Sequence, residues 1–195
     1  MENVLAISAH IDDVEFGCGG TLLKHRDAGD HINIVVLEWQ DKLGGDVEAR
    51  QIEQNQAGKL LNAVVTGLNS ELQHDKNVIE ILDRMNPSVI YLPYKDDYHQ
   101  DHRHAHTIGM AVARRFEADI FAYFSVTSYN YWPNALKLID FDEKMKLVNI
   151  FKSQIERRPE YLEILKAQNS FFSSLLPQRL KGMSAEGFCV HRVIL

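Results

Sequence analysis

Cysteine is scarce: Cys18 and Cys189 are the only two in 195 residues. Neither a disulfide framework nor a cysteine-built zinc site is available, and a reduced, cytoplasmic protein is the expectation. Positive charge is also in deficit, with 21 Lys and Arg against 27 Asp and Glu and a net charge of −6. No nucleic-acid partner is therefore expected, because backbone binding displaces counterions with clustered Lys and Arg. The short pairs Arg114-Arg115 and Arg157-Arg158 read as solvated helix faces. Long apolar runs are missing as well. The first one, residues 4–9, stops at His10, too short for a signal peptide's apolar region or a membrane span. A phosphate-cradling loop is lacking too. Gly17-Cys18-Gly19-Gly20 does not keep the G-x-G-x-x-G spacing, and the carboxylates before it would repel a pyrophosphate, which counts against a nucleotide-dependent enzyme.

What remains is an ordinary globular composition, 45% hydrophobic and 25% charged, and a length that suits one domain over residues 1–195. The apolar run 4–9 has the pattern of a buried parallel strand, and 21–28 reads as a helix stopped by Gly29. Strands follow at 32–38, weakly at 64–68, and at 89–92 and 119–126, alternating with helices at 47–61, 75–85 and from the His-rich segment to about 116. Such alternation predicts an α/β fold, a mostly parallel sheet with helices on both faces. Beyond Trp132-Pro133 the order changes, to a strand at 136–140, helices at 142–155 and 160–173, and a last strand at 188–194.

Ligands in such a sheet bind beyond the carboxyl ends of the strands. The chemically unusual residues lie there. His10-Ile11-Asp12-Asp13 follows the first strand, and His99-Gln100-Asp101-His102-Arg103-His104-Ala105-His106 follows the strand at 89–92. An imidazole and a carboxylate from one tight loop, with an imidazole from another, make a three-ligand set that leaves a position open on zinc or ferrous iron. Adjacent aspartates after a buried strand are costly without a cation or hydrogen bonds, and the pair can divide the tasks of ligand and base. Cys18 reads as a small core residue, and His25, His31, His74 and His191 as structural or surface residues; His104 and His106 stay unassigned. The polar loop 39–47 and the run Tyr129-Asn130-Tyr131-Trp132 are where selectivity is expected, although those rings suit a sugar face, the core or a subunit contact equally well.

The stretch from His10 to Thr21, with His10-Ile11-Asp12-Asp13-Val14-Glu15 and Gly19-Gly20-Thr21, resembles the opening signature of the LmbE/PIG-L-like deacetylases, H-P-D-D-x-E-x-x-x-G-G-T. His99-Gln100-Asp101-His102 resembles their H-x-D-H. Weaker echoes are Arg50-Gln51-Ile52-Glu53 for R-x-x-E, Ser153-Gln154 for S-Q, and Ala185-Glu186-Gly187-Phe188 for A-E-x-F. The resemblance implies a Rossmann-like sheet and removal of an acetyl group from an N-acetylglucosamine-type conjugate or related small amide. It implies metal ligation by His10, Asp13 and His102, with Zn2+ or Fe2+ as the ion. It makes Asp12 the general base and His99 the oxyanion stabiliser, oriented by Asp101. Substrate contacts fall to Arg50 and Glu15, with Glu15 and Glu186 supporting the surrounding loops. Members of the family often assemble, so a homo-oligomer is compatible with it. The signature's proline is Ile11 here, so a fixed φ angle is lost. A non-catalytic sugar- or metal-binding protein on the same scaffold is the alternative, and a base such as Asp12 has no use in it.

Overall fold

The computed structural model describes residues 1–41, 45–68 and 75–194. Its elements are β1 (Asn3–Ser8), α1 (Asp13–Ala28), β2 (His31–Val36), α2 (Val47–Leu60), β3 (Ala63–Gly67), α3 (Asp75–Asp83), β4 (Val89–Pro93), α4 (Gln100–Ala113), β5 (Asp119–Tyr123), β6 (Ala135–Ile139), α5 (Phe141–Val148), α6 (Lys152–Arg157), α7 (Glu160–Ser174) and β7 (Ser184–Arg192). The strands form one sheet in the order β3-β2-β1-β4-β5-β7-β6. The first five run parallel; β7 runs antiparallel to both β5 and β6.

The near-continuous apolar strands bury both faces, and their period of two assigns each residue a side. Val4, Ala6, Ile32 and Ile34 face one cluster, with Leu22 of α1, Ala57 of α2 and Leu147 of α5. Leu5, Ile7 and Val35 face the other, with Val78 and Leu82 of α3 and Ala105, Ile108 and Val112 of α4. No helix among the described residues is long and apolar enough to cross a membrane.

Several boundaries differ from the sequence reading, β5 ending at Tyr123 and α4 at Ala113 among them, and three differences have a packing reason. Helix α1 begins at Asp13, eight residues before the expected start, and carries a kink at Cys18 (φ −139°, ψ 19°). The glycines that suggested a loop serve contact instead: a Cβ on Gly17 would lie 2.3 Å from the Tyr123 ring, and one on Gly20 2.8 Å from Ile139. The expected helix at 142–155 is two, α5 and α6. Phe151 leaves helical geometry between them (φ −81°, ψ 57°), and its ring is fully buried in the core. The last strand starts four residues earlier than expected and ends two earlier, because it pairs on both edges, with β5 and with β6.

The order of strands turns between β1 and β4, since β1 connects onward to β2 on one side while β4 opens the other half. A crevice forms at such a turning point, beyond the carboxyl ends. The segments that leave β1 and β4 carry the two His/Asp motifs.

Candidate functional site

The loop after β1 is pinned from four sides. Ser8 Oγ donates to the carbonyl of His10, Glu38 N to Ala9 O at 2.8 Å, Arg50 to Ile11 O at 3.2 Å, and Asp12 N to Gln54 Oε1 at 3.2 Å. Asp12 sits at φ +90°, a region that side chains other than glycine rarely occupy and that is found where surrounding contacts enforce it. Ile11, in the place of the signature's proline, is fully buried in the core. Burial of that side chain, rather than a ring-fixed φ, anchors the turn.

The second motif enters on α4, where the His99 side chain caps the helix. Together the two segments bring three imidazoles into contact: ring centroids of His10 lie 4.6 Å from His99 and 5.3 Å from His102. Among the described residues, His10, His99 and His102 offer nitrogens that all lie within 4.8 Å of one another, a grouping that could hold a metal ion. Asp13 joins them. Its Oδ1 is 3.3 Å from His102 Nε2 and its Oδ2 3.6 Å from His10 Nδ1, and Oδ2 also accepts from the His10 backbone N–H at 2.7 Å.

The buried His102 and the half-buried His10 each have a carboxylate on the other nitrogen. Asp97 Oδ2 lies 3.1 Å from His102 Nδ1, and Asp101 Oδ2 lies 3.0 Å from His10 Nε2. Such outer partners fix tautomer and ring orientation, leaving the inner nitrogen for a cation. Asp101, expected to orient His99, is nearer to His10; it is 3.6 Å from His99 Nδ1. Asp97 escaped the sequence reading altogether. It is fully buried and accepts from Thr127 Oγ1 at 2.5 Å, Ser128 Oγ at 3.1 Å, Ser125 Oγ and the His99 backbone N–H at 2.7 Å. The available signal was position: an Asp two residues ahead of a helix cap commonly binds the backbone in this way.

Charge follows this geometry. For His10, burial alone lowers the pKa, but the hydrogen bond and charge of Asp13 outweigh it and raise it from 6.5 to about 9. For His102 burial also opposes, and Asp13 with Asp97 raises it to about 10. His99 goes the other way: burial and then the charges on His10 and His102 lower it. Burial pushes Asp12 up, helped by the charge of Asp13, while Asp13 itself is held down by His102 and His10 against the cost of burial. The two adjacent carboxylates are thus displaced in opposite directions.

Without a bound ion, the stability of the chain should depend on pH. Its His10 and His102 bind protons more tightly when folded, at about 9 and about 10, than at the unfolded value near 6.5. The stabilisation is therefore complete below about pH 6.5 and disappears as pH rises through about 9 to 10. Thermal melts of chelator-stripped protein should show Tm falling across that window, and a saturating cation should remove the slope, since protons and metal compete for the same nitrogens. A flat profile without metal would contradict these pairings.

The surrounding cavity, about 190 Å³, is lined by these residues and by Asp12, Phe16, Arg50, Gln154, Arg157 and Tyr161 among others. Arg50 reaches it but is committed to Asp41 and to Ile11 O, so it braces the loop as well as facing the cavity. Glu15 is corrected from a substrate contact. It is fully buried, absent from the cavity wall, and accepts from Gln54 Nε2 at 2.5 Å. Burial raises its pKa to about 7 despite that bond, and its Oε2 has no partner among the described residues. Gln54 was also missed, although it lies four residues after Arg50 on the same helix face.

The weak sequence echoes meet in space. Glu53 accepts from Ser153 N at 2.8 Å and from Ser153 Oγ at 2.6 Å, tying α2 to α6. Glu186 accepts from Gly20 N, Thr21 N and Lys144 Nζ at 2.6–2.9 Å and so caps the second half of α1 behind the site. The remaining histidines stand apart. His25 pairs with Asp30 and Tyr91, and His106 with Pro93 O; His31 is exposed, His191 meets the His106 ring edge-to-face, and His104 lies on α4 outside the imidazole group. Cys18 is buried, and burial pushes its thiol up, as suits an inert core residue. His74 and positions 42–44 of the polar loop lie outside the described residues.

The family model described as PIG-L, GlcNAc-PI de-N-acetylase, matches residues 5–113. A curated relative, the uncharacterized deacetylase YaiS of Escherichia coli K12, is 28% identical over 127 residues, 58% of this chain and 69% of its own. The crystal structure of the conserved protein TT1542 from Thermus thermophilus superposes with a TM-score of 0.84 at 26% identity, covering 100% of this chain and 97% of that one. The N,N'-diacetylchitobiose deacetylase of Pyrococcus horikoshii, solved with an inhibitor, follows at 0.77 and 20% identity, covering 96% and 82%. At that identity the likeness speaks for the fold.

Proposed function

The chain belongs to the PIG-L family, and from that membership we propose that it is a metal-dependent hydrolase. It removes an acetyl group from the nitrogen of an N-acetylglucosamine-type sugar conjugate or a related small amide. A fold alone does not fix a reaction. The observation that carries this reading is the convergence of His10, Asp13 and His102 at one end of a cavity with Asp12 beside them, its pKa displaced opposite to that of Asp13.

His10, Asp13 and His102 are the residues that would hold a divalent cation, zinc or ferrous iron. The donor set fits: two imidazoles, each fixed from behind by a carboxylate, and one carboxylate between them. When bound, the ion supplies Lewis acidity, lowering the pKa of water and polarising the amide carbonyl. The chain's own residues do the rest. Asp12 takes a proton from the attacking water and returns it to the departing nitrogen. Water oxygen bonds to the acyl carbon, the C–N bond breaks, and acetate and a free amine leave. His99, with its side chain 43% exposed, donates an N–H to the oxyanion that develops on the carbonyl oxygen. Its lowered pKa makes the neutral imidazole the donor. Asp97 holds His102, Asp101 holds His10, and Arg50 with Gln54 keeps the Asp12 turn in place.

The test is acetate release from N-acetylated amino sugars, with and without a chelator. Activity should vanish with the metal and return on its replacement; a turnover indifferent to chelation would refute the reading. His99→Ala should keep its metal and lose about 10²-fold in turnover, the scale of one oxyanion donor. Loss of metal in that variant would move His99 into the ligand set.

A further inference from the structure

We propose that Tyr98 and Tyr129 form a stacking platform at the cavity rim for the second ring of an N-acetylated amino-sugar conjugate. The proposal rests on the deacetylase reading and names the shape of its substrate. The cavity is small. At about 190 Å³ it falls below the roughly 300–1,000 Å³ usual for sites that enclose a whole drug-sized ligand. A sugar whose acetamido group reaches the imidazoles therefore leaves any second ring outside, on the rim.

Two tyrosines are chain neighbours of residues in the cavity wall. Tyr98 precedes His99, and Tyr129 follows closely on Thr127; His99 and Thr127 both line the cavity. The rings lie 4.7 Å apart between centroids, tilted by 35°, and Tyr98 is 78% exposed. Nothing about their backbone is loose. Tyr98 N donates to Thr127 O at 3.1 Å, Tyr129 N to Asp96 O at 3.0 Å, and residues 97 and 128 form an antiparallel bridge. Beneath them Asp97 gathers the hydroxyls of Ser125, Thr127 and Ser128. A buried hydrogen-bonded clasp thus presents two aromatic rings to solvent beside the reaction site, which is preorganisation for a flat apolar ligand face. The C–H face of a pyranose is such a surface, and tyrosine combines an apolar ring with a polar tip for the hydroxyls around it.

The other aromatic residues of that stretch pack on different partners, Trp132 while staying 68% exposed. Tyr131 donates to Ala122 O and Gly187 O and packs on Tyr94 and Phe172. Trp132 packs on Phe171 of α7. Of the sequence run it is Tyr129 that pairs with Tyr98, a residue the sequence did not single out.

The experiment compares N,N'-diacetylchitobiose with N-acetylglucosamine as probes. Acetate release is measured for the wild-type chain, Tyr98→Ala, Tyr129→Ala and Tyr98→Phe, and binding of both sugars by NMR titration in an Asp12→Asn background. Each alanine variant should lower the disaccharide-to-monosaccharide ratio of kcat/KM about fivefold through KM, the scale of one aromatic contact, with the same ratio lost in binding. Tyr98→Phe should restore it, because the ring face carries the effect. Equal changes for both sugars, no change for the disaccharide, or failure of the phenylalanine rescue would overturn the platform. Absence of acetate from the wild type, with the binding ratio still lowered by Tyr98→Ala, would sink the deacetylase reading and leave the platform standing. No binding of either sugar would overturn both.

Discussion

Asp12→Asn should lower turnover by about 10²–10⁴-fold, the span of general acid–base catalysis, while the protein keeps its fold and its metal. The reasoning is local. Asp12 lies next to the proposed ligand Asp13 and lines the same cavity. Among the described residues no ion pair holds it, whereas Asp13 is held by two imidazoles. Burial first, and the charge of Asp13 second, push the Asp12 carboxyl upward, with Arg50 opposing. A carboxylate raised in this way takes a proton more readily than an ordinary one, which is what a base must do and a ligand must not. Asparagine preserves size and the strained turn but cannot accept a proton. Steady-state kinetics with metal content measured on the same sample separates the outcomes: slow and metal-loaded supports the assignment, slow and metal-free makes Asp12 a ligand, and full speed removes it from the chemistry.

Asp97→Asn should weaken metal binding about 10–100-fold without unfolding the chain. Asp97 is fully buried, and every group around its two oxygens is a donor: His102 Nδ1, the hydroxyls of Ser125, Thr127 and Ser128, and the His99 backbone N–H. An amide offers one oxygen and one NH₂ where two acceptors are required, so at least one donor loses its partner. His102 loses the charge that holds its tautomer, and its inner nitrogen is no longer kept on the Asp13 side. The measurement is a competition titration against a chromophoric chelator, with thermal stability followed alongside. An unchanged affinity would make Asp97 a loop anchor with no bearing on the site.

The parts of this protein that sequence made legible are those where one-dimensional pattern and three-dimensional role coincide. The apolar strands β1, β2, β4 and β5 were readable because burial on both faces leaves continuous runs, and the His/Asp motifs because they end such runs. What stayed hidden depends on contacts distant in sequence. Gly17 and Gly20 look like a loop until Tyr123 and Ile139 are seen against them. Phe151 looks like an interior helix residue until the core pulls it out of the helix. Asp97 is inconspicuous in the chain because its five donors come from residues 99 and 102 and from a loop near position 127. Glu15, which belongs to the signature, lies beneath the loop, because a motif gives order along the chain and says nothing of which side chain faces the cavity.

Titration of the chelator-stripped chain with zinc or ferrous iron, repeated on His102→Ala, tests the central claim most directly. The account predicts one tightly bound equivalent per chain, release of protons from the two raised imidazoles as it binds, and loss of that equivalent in the variant. A wild-type chain that takes up no ion at this site, or a His102→Ala variant that binds as tightly as the parent, would contradict it.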